Sequence, residues 1–209
     1  MGAEGREFES HHPDQSYIVS MNNQIIIAEN FFQPYLQKKY KNFFFGDQIA
    51  WNFNQHATSD QKEYYGLNVK EDSSFAHILD ETQKDSKVFL DQVKSNIREK
   101  FGIEVKETLR ARLRFSMPNP LYEDDWYLPP HTDFKTPHKT LIYYINDNDA
   151  ETLFFNKKYD SEFKYDEEMK VIKKIKPKQG TAVLFDGLIF HAARASRTKL
   201  RMLLNFNFL

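Results

Sequence analysis

The sequence predicts a mostly β chain with helices toward its N-terminal half, on three observations. From about Val105 onward, short runs rich in β-branched and aromatic residues follow one another, each closed by Asn, Asp, Gly or Pro. The clearest helical period is confined to one segment ending at Gly102. The chain has 209 residues, 40% of them hydrophobic, with 19 Phe and 11 Tyr, enough aromatic area for one core but short for two comfortable domains. Short strands at this density fit a sandwich or jelly roll.

Taken in order, "QIII" gives a β-branched run at Ile25 to Ile27, followed by aromatics spaced for a helix interrupted near Pro34. "QIAWNFN" reads as a strand, and the stretch after it to about Asp72 as loop. In "DSKVFLDQVKSNIREKFG", Phe89, Val93, Ile97 and Phe101 recur every four residues; Asp85 or Ser86 is positioned to cap the start and Gly102 the end, so this helix should lie against a sheet.

"VKETLRARLRFSM" switches to period two, with Leu109, Ala111, Leu113 and Phe115 on one face and Arg110, Arg112 and Arg114 on the other. The ordinary reading of that arginine row is a solvated face or carboxylate pairing with a neighbouring strand. After a Pro-rich loop come "TLIYYIN", "ETLFFN", "MKVIKKIKPK", "TAVLFDG" and "LRMLLNFNFL" as strands, with the lysines of the third read as guards on an edge strand.

Composition narrows the chemistry. Lys plus Arg (29) nearly balance Asp plus Glu (30), for a net charge of -1, which argues against a protein whose main task is clamping nucleic-acid phosphates. With no cysteine, a metal would have to be held by His, Asp or Glu. No stretch has the length of a signal peptide's apolar region or of a membrane span, so a cytoplasmic location is expected. His11 and His12 fall in a polar N-terminal segment, read as flexible surface over 1–20.

His131 and Asp133 stand two apart in "PPHTDF". On a strand, such residues share a face about 6–7 Å apart and can converge on one ion, although a simple His–Asp hydrogen bond is the ordinary outcome. Downstream, "GTAVLFDGLIFHAARASRTKLRMLLNFNF" presents His191 on an apolar flank and, ten residues later, Arg201 heading an alternating strand. Two histidines and one carboxylate with open positions opposite suit non-haem Fe(II). On the last strand Arg201, Leu203, Asn205 and Asn207 share a face opposite Met202, Leu204, Phe206 and Phe208. If the apolar face packs on helices, the arginine points inward, where a buried guanidinium needs an anion such as a small dicarboxylate.

These segments, together with "TLIYYIND", resemble the Fe(II)- and 2-oxoglutarate-dependent dioxygenases, in particular the prolyl-4-hydroxylase-like branch. The likeness runs from Leu109 to the C-terminus and is looser over "IIIAENFFQPYLQKK". The resemblance implies a double-stranded β-helix (jelly-roll) core at about 105–209 within a single domain over 21–209, with N-terminal helices packed on its major sheet. It implies that His131, Asp133 and His191 ligate iron and that Arg201 binds the distal carboxylate of 2-oxoglutarate, with Tyr144 adding a hydroxyl to that carboxylate. Tyr143 projects to the opposite face as packing. Asn205 shares Arg201's face and is a supporting candidate in the co-substrate site; an ordinary satisfied interior amide is an equal reading. Collagen-type enzymes usually carry lysine where Arg201 stands, so a collagen substrate is not carried over.

The implied cofactors are Fe(II), 2-oxoglutarate as co-substrate and O₂, with ascorbate as a candidate stimulant. The implied reaction couples oxidative decarboxylation of 2-oxoglutarate, giving succinate and CO₂, to hydroxylation of a second substrate: a protein side chain such as proline, or a free amino acid or small metabolite. Nucleobase oxidation would require the arginine row to line a groove. The alternative is a non-catalytic or other-metal jelly-roll binding module. His138, five residues after Asp133, is read as structural or surface rather than a ligand; His56 and His77 carry no ligand spacing. The loops "WNFNQHATSDQKEYYG" and "PNPLYEDDWYLPP" are candidates for a lid.

Overall fold

The computed structural model describes residues 25–54, 73–161 and 169–209. The 1–20 segment, His11, His12, His56 and most of the first lid candidate lie outside the described residues. Among the described residues, ten strands and two helices follow in the order β1 (Ile25–Ala28), α1 (Pro34–Phe44), β2 (Asn52–Asn54), β3 (Ser74–Ile78), α2 (Lys84–Phe101), β4 (Thr108–Ser116), β5 (Lys139–Tyr144), β6 (Thr152–Lys158), β7 (Val171–Ile175), β8 (Ala182–Asp186), β9 (Ile189–Ala193) and β10 (Arg201–Phe208). All pairings are antiparallel. The larger sheet has the order β1-β8-β5-β10-β4-β3-β2 and the smaller one β7-β6-β9. This is the jelly roll expected from strand density. β7 is an outer strand of its sheet, as its lysines suggested.

The large sheet is covered on one side by α1 and α2. In α2, Phe89, Leu90, Val93 and Ile97 are all buried against Ala111 and Leu113 of β4 and Leu204, Phe206 and Phe208 of β10. Each such side chain contributes roughly 1.5–3 kcal/mol through removal from water, which fixes the helix to the sheet more firmly than its intrinsic propensity could. Tyr143 joins this layer, packing on Phe31 and Phe32. On the opposite side, Ile142, Tyr144, Val183, Phe185 and Leu203 meet Phe154 and Ile189 of the small sheet in a second, inner core. Central strands are therefore buried on both faces, and the inner face is the one available to a site.

Local signals explain most boundaries. α1 starts with Pro34 in its first turn, where a missing N–H costs nothing. α2 ends on Gly102 at φ 67°, whose N–H donates to Arg98 O at 3.0 Å; a left-handed residue there favours glycine. Its start differs from expectation: Gln33 and Gln83 are the N-cap residues of the two helices, neither with a side-chain cap, and Asp85 and Ser86 lie inside the first turn of α2. There the Asp85 carboxylate can still favour the positive end of the helix dipole. β3 was not anticipated.

The turn leading into β10 is organised by one carboxylate. Asp149 accepts from Ser196 Oγ at 2.7 Å, from the backbone N–H of Arg197 and Thr198 at 2.9 Å each, and from Thr198 Oγ1 at 3.1 Å. Burial alone would raise its pKa, but these donors outweigh that effect and hold it at about 2. A depressed folded-state value means that the stabilisation is present above the unfolded carboxyl's pKa of about 4 and fades as pH falls toward 2. Asp149→Ala is expected to lower stability by roughly 1–3 kcal/mol at neutral pH. In denaturant titrations the gap from wild type should narrow on acidification below about pH 4; a gap independent of pH would show that the carboxylate charge is not what holds the turn.

Candidate metal centre and anion pocket

The H-x-D motif does not ride on a continuous strand. His131 forms an isolated antiparallel bridge with His191 of β9, each N–H donating to the other's carbonyl at 2.9 Å, and Asp133 follows in an irregular segment. The bridge brings the two imidazole centroids to 4.6 Å, and the bend turns the Asp133 carboxylate back toward them. Ligand atoms of His131, Asp133 and His191 lie within 4.8 Å of one another, with His191 Nε2 3.8 Å from Asp133 Oδ2.

The two imidazoles are prepared alike. Nδ1 of His131 lies 3.0 Å from Pro129 O, and Nδ1 of His191 lies 3.1 Å from Ile189 O. A carbonyl only accepts, so Nδ1 carries the proton in both hydrogen bonds, and Nε2 keeps its lone pair in the neutral ring. Burial enforces neutrality: it pushes the His131 pKa down to about 3, helped by His191, and also lowers that of His191, in each case against the pull of Asp133.

Asp133 is held from three sides. Arg110 Nη2 donates to Oδ1, while Asn205 Nδ2 and Asn207 Nδ2 each donate to Oδ2 at 3.0 Å. Burial opposes ionisation, yet the neighbouring imidazoles, the Arg110 guanidinium and the Asn205 amide outweigh it and keep the pKa well below the usual carboxylate range. Arg110 is itself fixed, with Nε donating to Asn207 Oδ1 at 3.2 Å and its guanidinium 4.9 Å from the Phe134 ring centroid. Two neutral imidazoles and one anchored carboxylate are a donor set that fits a divalent first-row metal.

The two histidines open onto a pocket lined by Arg112, Arg114, Arg201, Asn205 and Thr152, with Leu128, Leu203, Ala192 and Ala193 as apolar wall. Arg201, expected to point inward, is 6% exposed and lies on this wall. Tyr144 is fully buried. Its hydroxyl donates to Thr152 Oγ1 at 2.7 Å, so Thr152 stands between it and the pocket. Burial pushes the Tyr144 pKa up to about 12, with Thr152 and Arg201 pulling down, so the phenol stays protonated. Asn205 donates its nitrogen to Asp133 and turns Oδ1, buried and without a hydrogen-bond partner among the described residues, toward the pocket it lines.

The arginine row faces inward rather than toward solvent. β4 pairs with β10 so that Arg110, Arg112 and Arg114 lie opposite Asn207, Asn205 and Leu203, on Arg201's side of the sheet. Arg110 pairs with a carboxylate, and its partner is a residue of the candidate metal site rather than of a neighbouring strand. Arg110, Asn207 and Thr152 are site residues that the sequence reading passed over; the first two were legible only as period-two neighbours of residues already singled out.

His138 is excluded from the cluster. Its ring is buried, with Nδ1 2.8 Å from Thr136 O, and it packs so closely on Gly187 that a Cβ there would fall 2.0 Å from Nε2. His77 sits on β3 with Nδ1 3.0 Å from Ala50 O.

No protein-family model matches the sequence, and no curated protein matches it. Solved structures do match, and they define the architectural class: the jelly roll of the 2-oxoglutarate–Fe(II) oxygenases. An oxidoreductase of the 2OG-Fe(II) oxygenase family from Burkholderia pseudomallei aligns at TM-score 0.56 and 10% identity over 90% of this chain and 85% of its own. A prolyl hydroxylase from Trichoplax adhaerens, in complex with a hypoxia inducible factor peptide fragment, aligns at 0.57 and 14% over 90% and 84%. HygX from Streptomyces hygroscopicus, with nickel and 2-oxoglutarate bound, aligns at 0.57 and 10% over 88% and 82%. At such identities the shared property is the fold; the chemistry must be argued from the residues.

Proposed function

We propose that this chain is an Fe(II)- and 2-oxoglutarate-dependent dioxygenase that hydroxylates a second substrate. The observation that carries the reading is the convergence of His131, Asp133 and His191 within 4.8 Å at one end of a pocket whose wall includes the buried Arg201. A metal-ligand set beside a recessed guanidinium suits a chelating dicarboxylate.

In this reading His131 and His191 present Nε2 lone pairs and Asp133 an oxygen to Fe(II), while Arg110, Asn205 and Asn207 keep that carboxylate ionised and aimed. Arg201 takes the distal carboxylate of 2-oxoglutarate. Thr152, whose oxygen accepts from Tyr144, is left with its own hydroxyl proton to donate to the same carboxylate, so Tyr144 acts through Thr152. Leu128, Leu203, Ala192 and Ala193 exclude water around the chelate. Fe(II), 2-oxoglutarate and O₂ together would supply the oxidising power for hydroxylation, with succinate and CO₂ as co-products.

The domain in this reading spans 21–209 with its jelly-roll core at about 105–209. No helix among the described residues is long and apolar enough to cross a membrane. A protein side chain such as proline and a small metabolite are the candidate substrate classes: one matched structure is a prolyl hydroxylase in complex with a peptide fragment, another HygX with hygromycin B bound.

Anaerobic addition of Fe(II) and 2-oxoglutarate should produce the visible charge-transfer band of the chelate, and air should then release succinate. Absence of both band and succinate would favour a non-catalytic or other-metal binding module.

A further inference from the structure

Arg112 lines the pocket and is not needed by the proposed metal or co-substrate. None of the described residues lining the pocket is acidic. Asp133, a member of the proposed metal site, pairs with Arg110. A guanidinium without an anion in a partly dehydrated cavity is unfavourable.

Arg112 is the group without an assignment. Its Nε is buried and meets no hydrogen-bond partner among the described residues. Burial, then repulsion from Arg110 and Arg114, lower its pKa to about 10, with Asp133 pulling the other way. Asp133 is already engaged by Arg110, Asn205 and Asn207.

Position shows what Arg112 would bind. It lies opposite Asn205, whose amide touches Asp133, and so stands at the metal end of the pocket. Arg201 is four residues further along β10, roughly 13 Å at about 3.3 Å per residue, and marks the far end. The co-substrate carboxylate nearest the metal is neutralised by the ion, and the distal one by Arg201. An anion on Arg112 would therefore belong to the molecule presented to the metal, with the orphaned Asn205 Oδ1 beside it as acceptor for a donor on that molecule.

Resting on the dioxygenase reading, we propose that Arg112 is a specificity residue and that the prime substrate is an anion, carrying a carboxylate or phosphate group within a few bonds of the carbon to be hydroxylated. This favours a compact acidic molecule or acidic side chain over a proline in neutral polypeptide. A guanidinium binds either oxyanion through paired N–H donors, so the chemistry is shared and the source is decided by experiment.

The test uses the full chain loaded anaerobically with Fe(II) and 2-oxoglutarate, titrated separately with propionate and inorganic phosphate by calorimetry and by the chelate band. At least one probe is expected to bind saturably to wild type. Arg112→Met should weaken that binding about tenfold or more and Arg112→Lys should retain part of it, with 2-oxoglutarate affinity changed less than about threefold in both. The preferred probe assigns carboxylate or phosphate. The proposal is overturned if neither probe binds loaded wild type, if Arg112→Met binds the probe normally, or if that variant loses 2-oxoglutarate instead. Should Arg112→Met fail to fold, the Lys variant and Arg112→Gln make the same comparison. If no chelate forms in wild type, the dioxygenase reading fails, and the same titrations on unloaded protein decide the anion site alone.

Discussion

Asp133→Ala is expected to abolish useful metal binding, weakening Fe(II) or Co(II) affinity at least about 100-fold, since even supporting residues around a metal ligand are worth roughly 10–100-fold. Two histidine nitrogens would remain, with no anion to offset the ion's charge. The substitution also takes the Asp133 acceptor from Arg110 Nη2 and Asn205 Nδ2, while Asn207 Nδ2 keeps its bond to Thr140 Oγ1 at 2.9 Å. Leaving such donors without an acceptor costs about 1–3 kcal/mol where water cannot replace it; Arg110, with a side chain 25% exposed, can recover part of its hydration. Metal-free Asp133→Ala should therefore be less stable than wild type as well as metal-deficient. Asp133→Asn separates the two effects, because it preserves shape and loses charge. A metal titration of Asp133→Ala superimposable on wild type would move the centre elsewhere.

That prediction rests on neighbours that the sequence showed only in part. Alternation told which residues share a face: Arg110 with Arg112 and Arg114, and Arg201 with Asn205 and Asn207. It could not tell which face of β4 is inside, because the ordinary assignment of cations to solvent fails when both faces are covered. Here α2 packs on one side, and the inner face finds Asp133, Asn205 and Asn207 as polar partners. The helix around Phe89, Val93 and Ile97 was legible since its period records burial against a sheet, whereas "SFAHI" of β3 carries too little alternation to declare itself and is specified by pairing with Arg112 to Phe115. The motif histidine and aspartate were legible as residue types and spacing. Their meeting depends on the bridge between His131 and His191, sixty residues apart, which only the folded sheet supplies.

The second large effect concerns the opposite end of the pocket. Arg201→Ala should raise the 2-oxoglutarate requirement by roughly 30-fold to 1,000-fold, the range for removing a buried charge-assisted contact worth about 2–4 kcal/mol, while leaving metal affinity within a fewfold of wild type. The split follows from geometry. Arg201 is at the first position of β10, whereas the metal ligands are carried by β9 and the segment after Pro130, and the β10 residues touching Asp133 are Asn205 and Asn207. Truncation should therefore remove the proposed distal-carboxylate contact without dismantling the donor set of the candidate metal centre. Arg201→Lys should recover part of the affinity, since an ammonium supplies the charge but not the paired, planar donors of a guanidinium. The decisive measurement is the concentration of 2-oxoglutarate needed to develop the Fe(II) chelate band, compared with metal binding measured in its absence. An unchanged 2-oxoglutarate titration in Arg201→Ala would take this arginine out of the co-substrate site. Equal loss of metal and 2-oxoglutarate would show that it supports the fold of β10 rather than the ligand.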